Sequence, residues 1–276
     1  MVRHWPALDI LEVDDLVLAA LDDFAPTAIE ELEAGVRVFF ATSEQRDAAL
    51  TALAGPQTVA AALEISDEDW AVRSQRSLTP IVVGRIRIVP HPRFLTSPDF
   101  PLPAGSLDPL EIVIEPSMGF GTGHHATTRL CLAAIQTLDL RQMRVLDVGT
   151  GSGILAIAAA RLGSLQVHGI DCDADAIQSA ADNLALNPGA RHATFAVADL
   201  ASGTLPTAEL VVANLTGADL ARAAELLLSA VTAGGTLVLS GILESEESEV
   251  RAAFSSAAID QRQQEQEWIC LTLKKV

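Results

Sequence analysis

Between residues 145 and 242, short unbroken apolar runs alternate with longer stretches of helical periodicity, and this alternation constrains the fold more than any other feature. Residues 145–149, 167–171, 194–199, 210–215 and 236–242 read as strands. Residues 154–162, 173–186 and 218–231 read as helices. The strand runs lack the polar–apolar alternation of a half-exposed sheet, so both faces must be covered. Strand–helix repetition of this kind predicts an α/β domain with a parallel sheet. A helix over 244–254 and a closing strand over 268–273 complete it, and the direction of that last strand is left open.

The first 65 residues have a different rhythm. A helix is expected over 13–22, strands over 28–32, 35–41 and 58–65, and a first strand near 7–11. Ser43 is expected to act as a plain N-cap for another helix, stopped by Gly55-Pro56. The order βαββαβ is a split-βαβ, ferredoxin-like α+β pattern. Residues 66–80 read as a polar connector ending at Pro80, with Trp70 as its anchor. The expected organisation is a small domain at 1–65, a linker at 66–80 and the α/β domain at 81–276.

Composition narrows the function classes. Apolar residues are 49% of the 276, enough for a sizeable core, and the formal charge is −18. Such an acidic balance argues against nucleic acid and against anionic lipid, and it suits a basic protein partner. Cys131, Cys172 and Cys270 form no CxxC or Cys/His spacing, which disfavours a disulfide framework or a structural zinc and fits a reducing compartment. The uncharged run 226–243 is broken by Thr232-Ala233-Gly234-Gly235-Thr236, a helix-to-strand turn rather than a membrane span. The N-terminus turns acidic at once and lacks the apolar core of a signal peptide, so a cytoplasmic protein is expected.

The sequence Asp147-Val148-Gly149-Thr150-Gly151-Ser152-Gly153 follows a strand and opens a helix. Glycines there let backbone approach a ligand, and the helix start offers free N–H groups. The spacing is G-x-G-x-G. Ile154 stands where a dinucleotide fingerprint needs Gly, and no lysine supplies a phosphate loop. A nicotinamide dehydrogenase is therefore disfavoured. Asp171 ends the next strand, where an acid accepts ribose hydroxyls. Glycine loop and acid together resemble the seven-strand, Rossmann-like class I methyltransferases that use S-adenosylmethionine.

Upstream lies Glu115-Pro116-Ser117-Met118-Gly119-Phe120-Gly121-Thr122-Gly123-His124-His125-Ala126-Thr127-Thr128, ahead of an apolar helix expected over 130–138. This block, LDVGTGSGILAIAA, GIDCDADAI, VVANLTGADL and LSGIL occur in order from Glu115 to Leu243. Together they resemble the ribosomal protein L11 methyltransferase (PrmA) family. The resemblance implies a C-terminal domain that binds S-adenosylmethionine and an N-terminal domain that recognises the ribosomal protein. It implies cofactor-binding roles for Thr128, Gly149, Asp171 and Asn214, with Gly151 in the same loop. The implied reaction methylates lysine side chains, with an N-terminal amine left open as a further acceptor. The chain departs from the family pattern at Ser117, at Gly119 and at Gly217, where the pattern has Gly, Ala and Ala. A methyltransferase acting on another protein or a small molecule is the alternative. A non-catalytic binding module is weighed against by the intact Gly149, Gly151, Asp171 and Asn214 set.

Methyl transfer to nitrogen needs the neutral amine. A free lysine has a pKa of ~10.4, so only about one in 10³ is ready at pH 7. Burial and a neighbouring sulfonium both lower that pKa, so a strong base is not obligatory. Asn214, after the fourth strand, is the expected catalytic residue: its side-chain carbonyl, with backbone carbonyls, accepts the amine hydrogens. The competing readings are that Asn214 caps the helix near Ala218 or touches the cofactor alone. Adjacent His124 and His125 point apart on most backbones and have no third ligand nearby, so no metal is expected. Asp199 is a candidate for the adenine amino group, and Cys172 is expected to be packed.

Overall fold

Strands of the second half of the chain do line up in one sheet with a core on each face. The computed structural model describes residues 4–11, 21, 24, 26–32, 35–53, 59–66, 79–96, 110–115, 123–200 and 203–275. Two units partition the chain, Met1–Arg76 and Ser77–Val276. Trp70 and most of the expected connector, and the expected helix at 13–22 apart from Leu21, lie outside the described residues.

The first unit contains β1 (His4–Leu11), β2 (Ala28–Leu32), β3 (Gly35–Phe39), α1 (Ser43–Ala52) and β4 (Val59–Ser66). The sheet order is β2-β3-β1-β4, with every neighbouring pair antiparallel. Period-two alternation puts Leu8, Ile10, Val36 and Val38 on one face, where they pack with Leu21, Phe40, Ala49 and Leu53. Thr42, not Ser43, is the N-cap of α1. Its hydroxyl accepts the Gln45 N–H at 3.3 Å and the Gln45 side chain accepts the Thr42 N–H at 3.2 Å. Shifting the frame by one places Gln at the third helical position and completes a capping box that the expected Ser43 frame lacks.

The second unit opens with β5 (Ile81–Val83), β6 (Ile86–Val89) and β7 (Leu110–Val113), a three-stranded sheet in the order β5-β6-β7. Their buried isoleucines pack against α2 (Ala126–Gln136). The main sheet comprises β8 (Arg144–Val148), β9 (Gln166–Asp171), β10 (Ala193–Val197), β11 (Ala208–Asn214), β12 (Val231–Leu243), β13 (Ala257–Glu265) and β14 (Trp268–Lys275). Its order is β10-β9-β8-β11-β12-β14-β13. The first five run parallel, and β14 is antiparallel to both β12 and β13. This is the expected Rossmann-like sheet, and its last strands are antiparallel. The crossover helices are α3 (Ile154–Arg161), α4 (Ala174–Ala185), α5 (Gly217–Arg222) and α6 (Ala224–Ala230), with α7 (Glu247–Ala253) before β13. The single helix expected over 218–231 is broken at Ala223 into α5 and α6.

Alternate residues of β11 enter opposite cores, Leu210 and Val212 on the α2–α3 side, Val211 and Ala213 on the α5–α7 side. Each fully buried Leu or Val contributes about 1.5–3 kcal/mol, which is why the central strands carry no polar alternation. On α3, every residue from Ile154 to Ala160 is buried, because the helix is enclosed on all sides. Asn187 stands in for a strand neighbour of β7: its amide accepts the Val113 N–H at 3.0 Å and donates to the Val113 carbonyl at 2.7 Å. Asn183, one turn earlier, accepts the Glu115 N–H at 2.9 Å and donates to the Ser152 carbonyl at 3.0 Å.

Candidate active site

The glycine loop leaves β8 and enters α3 at the carboxyl edge of the parallel strands, where open α/β sheets bind ligands. Gly149, Gly151 and Gly153 have φ of 70°, 52° and 80°, in the left-handed region that favours glycine. The turn is held by the Gly149 and Thr150 N–H groups, which both donate to the Ile170 carbonyl at 2.9 Å. A Cβ on Gly153 would fall 2.9 Å from the Phe195 ring. Asp171, at the end of β9, accepts the Gly151 N–H at 3.0 Å and the Asp173 N–H at 3.0 Å, one on each carboxylate oxygen. Each oxygen keeps a lone pair for a further donor.

Asp147 lies beneath the loop and is 1% exposed. One oxygen accepts the Thr150 hydroxyl at 2.6 Å and the Ala156 N–H at 3.1 Å; the other has no partner among the described residues. Burial pushes its pKa up to about 6, against the pull of those two hydrogen bonds.

Helix α2 starts at Ala126, four residues before the expected start. His125 is its N-cap: the ring Nδ1 accepts the Thr127 N–H at 3.4 Å and lies 2.8 Å from the Thr127 hydroxyl. Thr127 and Thr128 therefore sit on the buried first turn of a helix. The two histidines diverge as expected. His125 meets Trp268 edge to face, ring centroids 4.8 Å apart, while His124 Nε2 approaches the Thr79 carbonyl at 3.1 Å. Arg129 ties this segment to the β13–β14 hairpin through ion pairing with Glu265 and a bond to the His124 carbonyl. Among the described residues, no group of three His, Cys, Asp or Glu is arranged to hold a metal.

Asn214 ends β11, in register with Ser240 of β12. It does not cap the following helix. Thr216 is the N-cap of α5, and its hydroxyl accepts the Asp219 N–H at 3.2 Å. The capping alternative for Asn214 is thus overturned, because the cap lies two residues further on. Gly241 (φ 86°) lets β12 pass here: a Cβ would lie 2.1 Å from the Leu215 carbonyl oxygen and 3.2 Å from Asn214 Oδ1. Cys172, expected to be packed, is exposed and borders the same space.

Thr128, Gly149, Gly151, Asp171 and Asn214 all line one cleft of about 1380 Å³, within the second unit. That is larger than the ~300–1,000 Å³ of an ordinary small-ligand pocket, leaving room for a second reactant. The donors fit an adenosyl amino acid: a glycine turn that exposes backbone, a carboxylate with free lone pairs for diol hydroxyls, and a helix start at α3. Sequence reasoning missed three contributors to the wall, Trp268, Gly241 and Glu246. The glycine in LSGIL was the signal for one of them. Trp268 and Glu246 carried none: Trp268 reaches the cleft from the antiparallel strand β14, and Glu246 from the turn that follows β12.

Comparison with known proteins adds the following. The model of the family "Ribosomal protein L11 methyltransferase (PrmA)" matches residues 23–276. A ribosomal protein L11 methyltransferase of Geobacter sulfurreducens is 40% identical over 270 residues, covering 92% of this chain and 87% of that protein. One of Trichlorobacter lovleyi is 34% identical over 281 residues, covering 93% and 87%. The crystal structure of a ribosomal protein L11 methylase from Lactobacillus delbrueckii subsp. bulgaricus superposes with a TM-score of 0.62 at 28% identity, covering 72% of this chain and 99% of that one.

Proposed function

The chain belongs to the ribosomal protein L11 methyltransferase family, and we propose that it transfers methyl groups from S-adenosylmethionine to lysine side chains of ribosomal protein L11. An N-terminal amine is a chemically equivalent further acceptor. When bound, S-adenosylmethionine supplies an electrophilic methyl group on a sulfonium. The chain's own residues do the rest. Asp171 takes the ribose hydroxyls on its free lone pairs, and Gly149 and Gly151 leave the amino-acid end room against backbone. Thr128, on the first turn of α2, offers its hydroxyl to the same ligand. Asn214 Oδ1 and neighbouring carbonyls accept the hydrogens of the incoming amine and aim its lone pair. Alignment of this kind replaces a strong base, because the neighbouring sulfonium disfavours the ammonium form.

The first unit, with its β2-β3-β1-β4 antiparallel order, supports a ferredoxin-like reading and the role of substrate recognition, with domains at 1–65 and 81–276 and a linker at 66–80. The charge of −18 suits a basic ribosomal protein and not direct binding to nucleic acid or membrane. No helix among the described residues is long and apolar enough to cross a bilayer; we assign the protein to the cytoplasm. The observation that carries this function is the convergence of Thr128, Gly149, Gly151, Asp171 and Asn214 on one cleft. Incubation of purified L11 with enzyme and S-adenosylmethionine should add 14-Da increments by mass spectrometry, about one methylene each. Asn214→Ala should lower turnover by at least about tenfold at saturating cofactor; unchanged turnover removes Asn214 from the chemistry.

A further inference from the structure

On the Asn214 side of the cleft one half-buried carboxylate has no partner of opposite charge among the described residues. Glu246 is half-buried and lines the cleft beside Asn214, Leu215 and Trp268. One of its oxygens accepts the Leu243 N–H at 3.0 Å. The surrounding cations are committed elsewhere: Arg222 pairs with Asp219 at 3.1 Å, and Arg251 and Arg262 both pair with Glu247. Glu244, the other acid of this turn, takes the Gln264 amide at 3.3 Å. Glu225, also on the cleft wall, is exposed on a helix surface and is an ordinary solvated acid.

The space for Glu246 is made by Gly217. A Cβ there would lie 2.6 Å from Glu246 Oε2 and 2.8 Å from its carboxyl carbon. Gly217 has no left-handed backbone to explain it. A half-buried carboxylate with one neutral donor and no counter-charge is electrostatically incomplete, and a cation entering the cleft completes it.

We propose that Glu246, seated against Gly217, is the specificity-determining carboxylate that captures the ammonium of the acceptor lysine as it enters the Asn214 side of the cleft. This rests on the amine acceptor assigned above. Glu246 is a binding residue and not the base. An adjacent carboxylate favours the charged amine, so it helps capture and slightly opposes deprotonation. That trade separates it from a mere turn cap.

Glu246→Gln keeps an oxygen for the Leu243 N–H and removes only the charge. KM for ribosomal protein L11 should rise about fivefold, and its salt dependence should flatten. The affinity of L11 for enzyme loaded with S-adenosylhomocysteine, read by calorimetry, should fall in parallel. The apparent pKa in the kcat–pH profile should move to lower pH, because the bound lysine loses a neighbour that favoured its ammonium. A turn-capping role would move none of these. Gly217→Ala is a second variant that displaces the carboxylate without uncharging it. It should act in the same direction and add little to Glu246→Gln. If the parent methylates L11 and Glu246→Gln matches it in KM, product-complex affinity and pH profile, this proposal is overturned alone. If the parent leaves L11 unmodified, the functional reading falls, and Glu246 with it.

Discussion

The two banks of the cleft are built by opposite strategies. On the Asp171 bank, one contiguous strand–loop–helix segment from Asp147 to Ala156 supplies the turn, the helix start and the buried carboxylate beneath, and the end of β9 adds the acid. On the Asn214 bank, four segments separated in sequence meet: Asn214–Gly217, Gly241–Glu246, and the two that bring His125 and Trp268 ring to ring. The first bank is a local object that the fold carries intact. The second exists only once β12 has been laid beside β11 and β14 beside β12. Contiguity gives the first bank a linear signature, whereas the second is assembled from close approaches that one added methyl group would block.

Leu215 touches both banks and offers the sharpest contrast. At Gly241, a Cβ meets the Leu215 carbonyl at 2.1 Å, and backbone must move; at Gly149, it meets only the Leu215 side-chain tip at 2.5 Å. Gly241→Ala should therefore cost about 3 kcal/mol or more of unfolding free energy, and Gly149→Ala about 1–2 kcal/mol from its positive φ. Equal losses in denaturant titrations would erase the distinction between the banks. Next in size, Asp171→Ala should weaken S-adenosylhomocysteine by about 30-fold in calorimetry, through two lost charge-assisted hydrogen bonds. Full affinity would show that the first bank is not where the ribose sits.

Asp147 gives a pH test of the same bank. Its folded pKa of about 6 lies above the ordinary value of 3.8, so the native state holds the proton more tightly than the unfolded chain. The stability it contributes is complete below pH 3.8 and is lost as pH rises through about 6. Asp147→Asn, which is blind to pH there, should gain on the parent across this window, by about 3 kcal/mol at pH 7.5. Parallel stability curves for parent and variant would mean that the buried charge is not penalised. The smallest effect is expected outside the cleft altogether. Thr42→Ala opens the α1 capping box and should cost about 1 kcal/mol, while S-adenosylhomocysteine affinity stays that of the parent. A change in affinity would mean that the first unit bears on the cofactor bank.

Legibility in the sequence followed burial. The central strands were readable because both of their faces are covered and their residues are apolar without a break. β13, Ala257–Glu265, was not, because it is an edge strand whose residues are all half-exposed or exposed, so Asp260, Gln261, Arg262 and Gln263 carry no apolar pattern. β5, β6 and β7 are only three or four residues long, too short for periodicity to register. Thr128, Gly149, Gly151, Asp171 and Asn214 were legible through motifs. The position of the α5 cap was not, since Asn214 and Thr216 are both good capping residues and only the geometry distinguishes them. Glu246 was silent for a further reason: its environment depends on what Gly217 lacks.

Lys274 and Lys275 are the only lysines in the chain. Lys275 Nζ donates to the Leu228 and Val231 carbonyls at 2.7 Å each, and Lys274 Nζ donates to the Thr236 hydroxyl at 2.7 Å. Thr236 pairs with Lys274, whereas Leu243, at the cleft, pairs with Trp268. Seven strand residues separate the two positions, roughly 23 Å along the sheet. Both ammonium groups thus sit at the opposite rim from the reacting centre and are occupied. Neither lysine can therefore take the methyl group from its own molecule's cleft, and any methylation of the enzyme's own lysines would have to pass between two copies.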